Sequence, residues 1–411
     1  MDSRFKNLYS DHWGILEVMV TDHSPIDLKR LAIRDRGDAY HFVLSYGYDL
    51  NNPEDADEVN RMKNEAVDFI RGFFLTDISE EFYPLVLPDS IAHADITDLL
   101  LLASSNPRAS LQKWSCAVLR IMHTLAHVVS DLSAHYFPDI QQQVLGPYYE
   151  HIHKEGEQLF LGTGDQAIPL VEFQAKAGKE RDSAILKLLH KRENVAADIF
   201  DRIGVRFVTQ DRMDALLVLR YLREYHLVPF PNVKPSRSVN TLIHIDKFRK
   251  TFRELYQRYQ NEEISDDEFE HILRHSAQFR DVLSPRQIHR MFNRNPFTSK
   301  NYRSMQFTVR QQVRINNPLH PFKSEMPVPR GDEVAKARFE AAKPFYRFFF
   351  PYEVQIVDIE THRNNRTGSS SHNTYKQRQL IAARQRVLGG LLKPIKAIAK
   401  TQSRSGSSAK A

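Results

Sequence analysis

The stretch KNYRSMQFTV, residues 300–309, sets a lysine, an aromatic ring, an arginine and a hydroxyl at the mouth of a strand. Met305, Phe307 and Val309 alternate with Gln306 and Thr308, the period of a half-buried strand. Lys300, Tyr302, Arg303 and Ser304 precede them and are residue types suited to holding something flat and something anionic. For Tyr302 alone, a β-forming aromatic at a strand start is the plainer reading. Two acids at strand positions extend the set. Asp201 opens DRIGVRFV and Glu353 lies within PYEVQIVD. Acids in strands are costly unless solvated or paired, and two from distant segments can meet across one sheet to hold a divalent ion. Cations surround them in the sequence: Arg206 on the Asp201 strand, and Lys179, Arg181 and Lys187 on the preceding helix. Carboxylates ringed by cations suit a magnesium nucleotide. They are equally what a salt-bridge network contains, and residue chemistry alone leaves both open.

Other chemistry-bearing residues are less informative. His123, His127 and Asp131 share one helical face at metal-ligand spacing, with no further partner identifiable. Cys116 is the single cysteine, which excludes a disulfide framework and a cysteine zinc site and reads as a small buried residue.

The elements that must position these residues follow from periodicity. Residues 1 to about 160 read as mostly helical: DADEVNRMKNEAVDFIRGFFL and LQKWSCAVLRIMHTLAHVVSDLSAHYF repeat apolar residues every three to four. The glycines of LGTGDQAIPL, 161–170, match neither phosphate-loop pattern and mark a loop and a domain boundary. Beyond it the pattern predicts a helix over RDSAILKLLHKRENVAADIF, a strand over DRIGVRFVT and an amphipathic helix over RMDALLVLRYLREYH. A short strand is predicted over SVNTLIHID, charged helices over 247–292, and strands over YRSMQFTVRQQVRI and FYRFFFPYEVQIVDI. This order predicts an α+β chain: a helical N-terminal half, 1–160, followed by a mixed-sheet domain over 175–390 with a helical insertion at about 235–295. Residues 391–411 are basic and Ser-rich and read as a disordered tail that touches RNA or anionic surfaces.

Composition bounds the class. The chain has 411 residues, 41% hydrophobic and 26% charged, enough for two or three domains. No apolar run spans a bilayer and the N-terminus has no secretory pattern, so a cytoplasmic location is expected. From Lys376 onward there are nine Lys and Arg and no acid; taking these from the net +6 leaves the remainder at −3. A second acid-free basic run of eight Lys and Arg extends from Arg286 to Lys323 and contains the opening cluster.

In this order the motifs resemble the synthetase domain of the RelA/SpoT family of (p)ppGpp-forming pyrophosphokinases, over about 175–380. KERDSAILKLL resembles its lysine-rich block ending Ser-x-x-x-Lys, and DRIGVRFV matches its Asp-Leu-x-Gly-x-Arg strand at Asp201, Gly204 and Arg206. NYRSMQF matches its Gly-Tyr-x-Ser-Leu-His block at Tyr302 and Ser304, YEVQIVD its glutamate strand at Glu353, Gln355 and Ile356, and HNTYK its His-x-x-Tyr-Lys at His372, Tyr375 and Lys376. Departures are Ala177 for an adenine-packing arginine, Asn301 for glycine, Gln306 for histidine, and Val357 and Asp358 for an Arg-Thr pair. The His-Asp dipeptide of the family's hydrolase module does not occur.

The resemblance implies a nucleotidyltransferase-like fold and a GTP diphosphokinase-like activity: Mg²⁺-dependent transfer of pyrophosphate from ATP to the 3′-hydroxyl of a guanine nucleotide. Asp201 and Glu353 would be the catalytic, metal-holding acids. Lys179, Arg181, Lys187 and Arg206 would meet the ATP phosphates. Lys300, Tyr302, Arg303, Ser304, Gln355 and His372 would bind the acceptor, with the Tyr302 ring, not its hydroxyl, stacked on the guanine. The alternatives are the same fold acting on another acceptor, an adenine nucleotide or tRNA, or a non-catalytic nucleotide- or RNA-binding relative.

Overall fold

The structure is a computed structural model that describes residues 27–76, 84–129, 136–177, 181–190, 202–277, 302–317, 320, 333–366 and 372–392. In chain order the helices are α1 (Arg36–Ser45), α2 (Pro53–Phe69, continued by a π turn at Ile70–Phe74), α3 (Asp89–Ala92), α4 (Ile96–Ala103), α5 (Ser110–Val129), α6 (Phe137–His151) and α7 (Arg181–His190). After them come α8 (Arg212–Glu224), α9 (Ile245–Gln260), α10 (Asp266–Ala277), α11 (Glu333–Glu340), α12 (Ile359–Arg366) and α13 (His372–Leu388). The strands are β1 (Ile152–Glu155), β2 (Gln158–Leu161), β3 (Ile168–Ala177), β4 (Ile203–Thr209), β5 (Val239–Asn240), β6 (Met305–Asn316) and β7 (Phe345–Asp358). The expected α+β class is what the structure has. No helix among the described residues is long and apolar enough to cross a membrane.

Two compact units form. The helical unit contains α1–α5, α7 and α13 from Lys376 onward. Its helices start at clear signals: Asn52 caps α2 ahead of Pro53, and Asp95 caps α4. Ile70, Phe74, Leu99, Leu100, Ile121 and Leu125 are among its fully buried side chains, joined by Ile185 and Leu189 of α7 and Val387 and Leu388 of α13. Polar groups in the interior close on backbone carbonyls, as burial requires. Lys63 Nζ donates to Ala92 O, and Arg384 Nη2 to the carbonyls of Phe73 and Thr76 at the end of the π turn. Cys116 is buried as expected, and burial pushes its thiol pKa up.

The sheet unit contains α6, α8–α12 and all seven strands, in the order β1-β2-β3-β4-β7-β6-β5. Every neighbouring pair is antiparallel except β4 and β7, which run parallel with Gly204 opposite Glu353 and Arg206 opposite Gln355. Strand alternation sends Ile203, Val205 and Phe207 of β4, Tyr352, Val354 and Ile356 of β7, and Met305, Phe307 and Val309 of β6 to one face. There they bury with Ala215, Val218 and Leu222 of α8 and Ile140 and Val144 of α6. The alternate residues form the second, polar face.

The unit boundaries correct the sequence-based ones at 160 and 175. Residues 137–177 belong with the sheet because Tyr148, Leu161, Ile168 and Leu170 bury in its core. Residues 181–190 and 376–392 belong with the helices because Ile185, Leu189, Ala383 and Val387 bury there. The glycines of LGTGDQAIPL shape a turn between β2 and β3, not an interdomain boundary. Gly162 has φ +85°, and a Cβ on it would sit 2.6 Å from the Tyr221 ring. The strand predicted over SVNTLIHID shrinks to Val239–Asn240, because Asn240 Oδ1 accepts from the Leu242 and Ile243 amides and turns the chain. Within 235–295, the described part folds as α9 and α10 around Leu255, Ile264 and Leu273. The remainder of that segment and residues 393–411 lie outside the described residues.

Candidate active site on the polar sheet face

The polar face is crossed by one connected set of side-chain hydrogen bonds. On β3, Gln174 Nε2 donates to Glu172 Oε1 at 2.7 Å. Arg206, opposite Gln174 on β4, donates from Nη1 to Gln174 Oε1 at 3.3 Å and from Nε to Gln355 Oε1 on β7 at 2.5 Å. Gln355 Nε2 donates to Tyr302 Oη at 2.5 Å and to Gln306 Oε1 at 3.3 Å. Gln306, on β6, donates from Nε2 to Glu353 Oε1 at 2.5 Å. The register explains the order: Gln174, Arg206, Gln355 and Gln306 are successive cross-strand partners on one face.

Each member has a definite environment. Gln355 is 6% exposed, and both ends of its amide are engaged. Arg206 is held flat between two amide oxygens, which fixes the plane of its guanidinium. Glu353 stands at the junction of β4, β7 and β6, facing Gly204 on one side and Thr308 on the other. Gly204 puts no side chain beside the carboxylate, and a Cβ there would lie 4.0 Å from Glu353 Cβ. Tyr302 is half-buried; burial pushes its phenol pKa up, while Arg206 and the Gln355 bond pull it down. His362 of α12 places Nε2 3.4 Å from Glu172 Oε2, and burial holds its pKa below the usual histidine value despite Glu172.

The opening cluster divides once it is folded. Arg303 is anchored through its backbone, its N–H donating to Asn365 Oδ1 and its carbonyl accepting from Asn365 Nδ2. Its guanidinium donates to the Tyr302 carbonyl, and burial and the nearby Arg212 charge lower its pKa. Ser304 is 3% exposed; its N–H donates to Thr241 Oγ1 and its carbonyl accepts from the Thr241 N–H. Through these bonds it ties the start of β6 to the end of β5. Tyr302 uses its hydroxyl as an acceptor, so an assignment to the ring alone is incomplete.

The remaining sequence candidates are distributed as follows. Arg181 and Lys187 lie on α7 in the helical unit, where Arg181 pairs with Glu65 at 2.9 Å. His372 begins α13. Lys179, Asp201 and Lys300 lie outside the described residues, as does Asp131 of the histidine face. Sequence reasoning missed Gln174, Glu172, His362 and Asn365 as members of this face. Gln174 was legible in hindsight as a polar residue alternating with Phe173 and Ala175 on β3, but its register against Arg206 was not. Asp358, one of the departures from the family pattern, has a structural role. It is buried at the end of β7, 3.9 Å from Arg212 in the first turn of α8.

Comparison with protein-family models and with curated proteins returns no match. Among the described residues no group of three or more His, Cys, Asp and Glu side chains gathers as a metal site. A magnesium ion needs less than that, one or two protein carboxylates with water and phosphate oxygens completing the shell. Glu353 beside the bare edge of Gly204 fits that requirement.

Proposed function

We propose that the polar face binds ATP and a guanine nucleotide and transfers pyrophosphate between them, as the family resemblance implies. The observation that carries this reading is the junction at Glu353. One carboxylate, one plane-fixed arginine and one tyrosine converge on a single face, beside a glycine that leaves room for a ligand. Glu353, together with Asp201 as the resemblance implies, would hold Mg²⁺, which when bound neutralises phosphate charge.

The chain's own residues then have separable tasks. Arg206 presents guanidinium N–H groups to phosphate oxygens; its Nη2 has no hydrogen-bond partner among the described residues. Tyr302 offers a ring face to the acceptor base while Gln355 holds its hydroxyl. Glu353 accepts or orients the proton of the acceptor 3′-hydroxyl as that oxygen bonds to the β-phosphorus. The bond from the β-phosphorus to the bridging oxygen breaks, and AMP leaves. Positioning and charge neutralisation carry most of the rate in such transfers.

One feature favours a binding relative without transfer: Gln306 Nε2 already donates to Glu353 Oε1, so that oxygen is engaged where an acceptor hydroxyl would have to approach. Incubation of the protein with Mg²⁺, ATP labelled in its β-phosphate and each guanine and adenine nucleotide in turn separates the readings. Label moving to a guanine nucleotide supports pyrophosphate transfer. Movement to an adenine nucleotide alone changes the acceptor. Saturable binding with no movement of label supports the non-catalytic reading.

A further inference from the structure

The polar face continues past Glu353. β6 and β7 run on as a two-stranded ribbon from Val309↔Tyr352 to Asn316↔Phe345. The alternation that points Glu353 and Gln306 to the polar face points Arg310 and Arg314 of β6, and Phe349, Arg347 and Phe345 of β7, to the same side. Arg310, Arg314, Arg347 and Phe349 are exposed there, whereas Val313, Ile315, Phe350 and Tyr352 on the other side are buried. No Asp or Glu occurs in 309–316 or 345–352.

The cations and rings are interleaved. The Arg310 guanidinium lies 5.5 Å from the Phe349 ring centre, and those of Arg314 and Arg347 lie 5.2 and 4.4 Å from the Phe345 ring centre. Such contacts hold long side chains extended along the face, which lowers the entropy lost on binding. The ribbon is braced at its edge: Gln143 of α6 donates to the Arg314 carbonyl and accepts from its N–H, both at 2.8 Å. Beside the Arg310–Phe349 pair opens a cavity of about 270 Å³, walled by the loop from Pro231 to Ser236, which includes Lys234.

We propose that this ribbon face binds single-stranded nucleic acid, with the arginines on phosphates and Phe349, at the mouth of the cavity, stacked on a base. Interleaved cations and ring faces are what an unpaired strand uses, since its bases are free to stack; a duplex hides those faces. An anionic bilayer takes up rings that project beyond the charges, whereas here Phe345 and Phe349 each lie against a guanidinium, which suits stacking over insertion. At ~3.3 Å per strand residue, Phe349 stands about 13 Å along β7 from Glu353, so the face is separate from the nucleotide site and does not depend on that reading.

Fluorescence anisotropy on the full chain tests this with a labelled 12-nucleotide oligouridylate, a duplex of the same length, and phosphatidylserine vesicles as competitor. The expected result is salt-dependent binding of the single strand in preference to the duplex, not displaced by the vesicles. Joint Arg310→Ala, Arg314→Ala and Arg347→Ala should flatten the log affinity against log salt slope by about 2, at ~0.7 per phosphate contact. Phe349→Ala should weaken binding roughly five- to hundredfold, and Phe349→Trp should restore it. Transfer to a free guanine nucleotide, where present, should be unaffected by these substitutions, and its absence from the wild type would leave the binding result standing. The proposal is overturned by absence of single-strand binding, by equal binding of duplex, by displacement with vesicles, or by an unchanged slope in the triple variant, which would place binding on other cations of the chain.

Discussion

Gln355→Leu removes the central link of the polar face at little change in volume. Gln355 is 6% exposed; its Oε1 accepts from the Arg206 cation at 2.5 Å, and its Nε2 donates to Tyr302 Oη and, at 3.3 Å, to Gln306 Oε1. A hydrogen bond to a charged group contributes about 1.5–3 kcal/mol and a neutral one about 0.5–1.5 kcal/mol. Arg206 is only half-buried, so water replaces part of its lost bond, and the 3.3 Å contact counts at the low end. The expected loss is ~2–4 kcal/mol, or roughly 30- to 1,000-fold in the local opening equilibrium. Hydrogen–deuterium exchange of peptides covering residues 345–358 reads it directly as faster exchange by that factor. Tyr302→Phe, which removes one neutral bond, should accelerate the same peptides by only about fivefold. Exchange unchanged within about threefold in Gln355→Leu would refute the idea that this amide ties the face together. Equal acceleration by both variants would show that the Arg206 bond adds nothing.

Three further predictions concern Tyr302, the glycines Gly204 and Gly162, and His123. Tyr302→Ala should raise the KM for the acceptor roughly ten- to hundredfold and leave that for ATP nearly unchanged, with Tyr302→Phe in between because its ring remains while the Gln355 bond is lost; equal damage by both would remove stacking as the explanation. Gly204→Ala meets only ordinary contacts at 3.6 and 4.0 Å and should keep the fold while impairing transfer; Gly162→Ala, at φ +85° and 2.6 Å from Tyr221, should cost ~2–4 kcal/mol, and urea unfolding of the pair would expose the error if the two behave alike. His123 has its pKa held down to about 4, by burial first and then by His127, so between pH ~6.5 and about 4 the unfolded chain takes a proton that the folded chain refuses. Stability of the helical unit should therefore fall by up to ~3 kcal/mol as pH drops through that window, followed by the fluorescence of buried Trp114, and His123→Gln should flatten the dependence.

Elements with strong local signals were legible in the sequence, and partners set by register were not. β4, α8, β6 and β7 follow from alternation or helical spacing within single segments. The ten-residue stretch 168–177 gives no clear strand signal because Pro169, Glu172 and Lys176 interrupt its apolar run, so β3 lies in the gap between the two predicted domains, and its neighbours β1 and β2 fall within the stretch predicted as helical. α7 and α13 fall within the predicted 175–390 domain yet bury their apolar residues in the helical unit. Their apolar faces are short, and a sequence does not say which of two cores such a face enters. Within the site, Glu353, Arg206, Tyr302 and Gln355 were recognisable through motif order, and the structure brings those four together. Gln306 stood out only as a departure from the pattern; its bond to Glu353 depends on the β6–β7 register, which no local feature encodes. Glu172, Gln174 and Asn365 are ordinary polar residues until the sheet assembles.

The most direct measurement compares the wild-type chain with Glu353→Gln for transfer of label from β-phosphate-labelled ATP to a guanine nucleotide in Mg²⁺, with thermal melting recorded on the same samples. The glutamine keeps the shape of the side chain and an oxygen for Gln306 to donate to, and it removes the charge that would hold the ion and take the proton. The expected result is AMP and a 3′-pyrophosphorylated guanine nucleotide from the wild type, and a loss of at least ~10³-fold in rate from the variant with its melting transition retained. Transfer by Glu353→Gln at the wild-type rate, or no transfer to any guanine nucleotide by a folded wild-type chain, would contradict it.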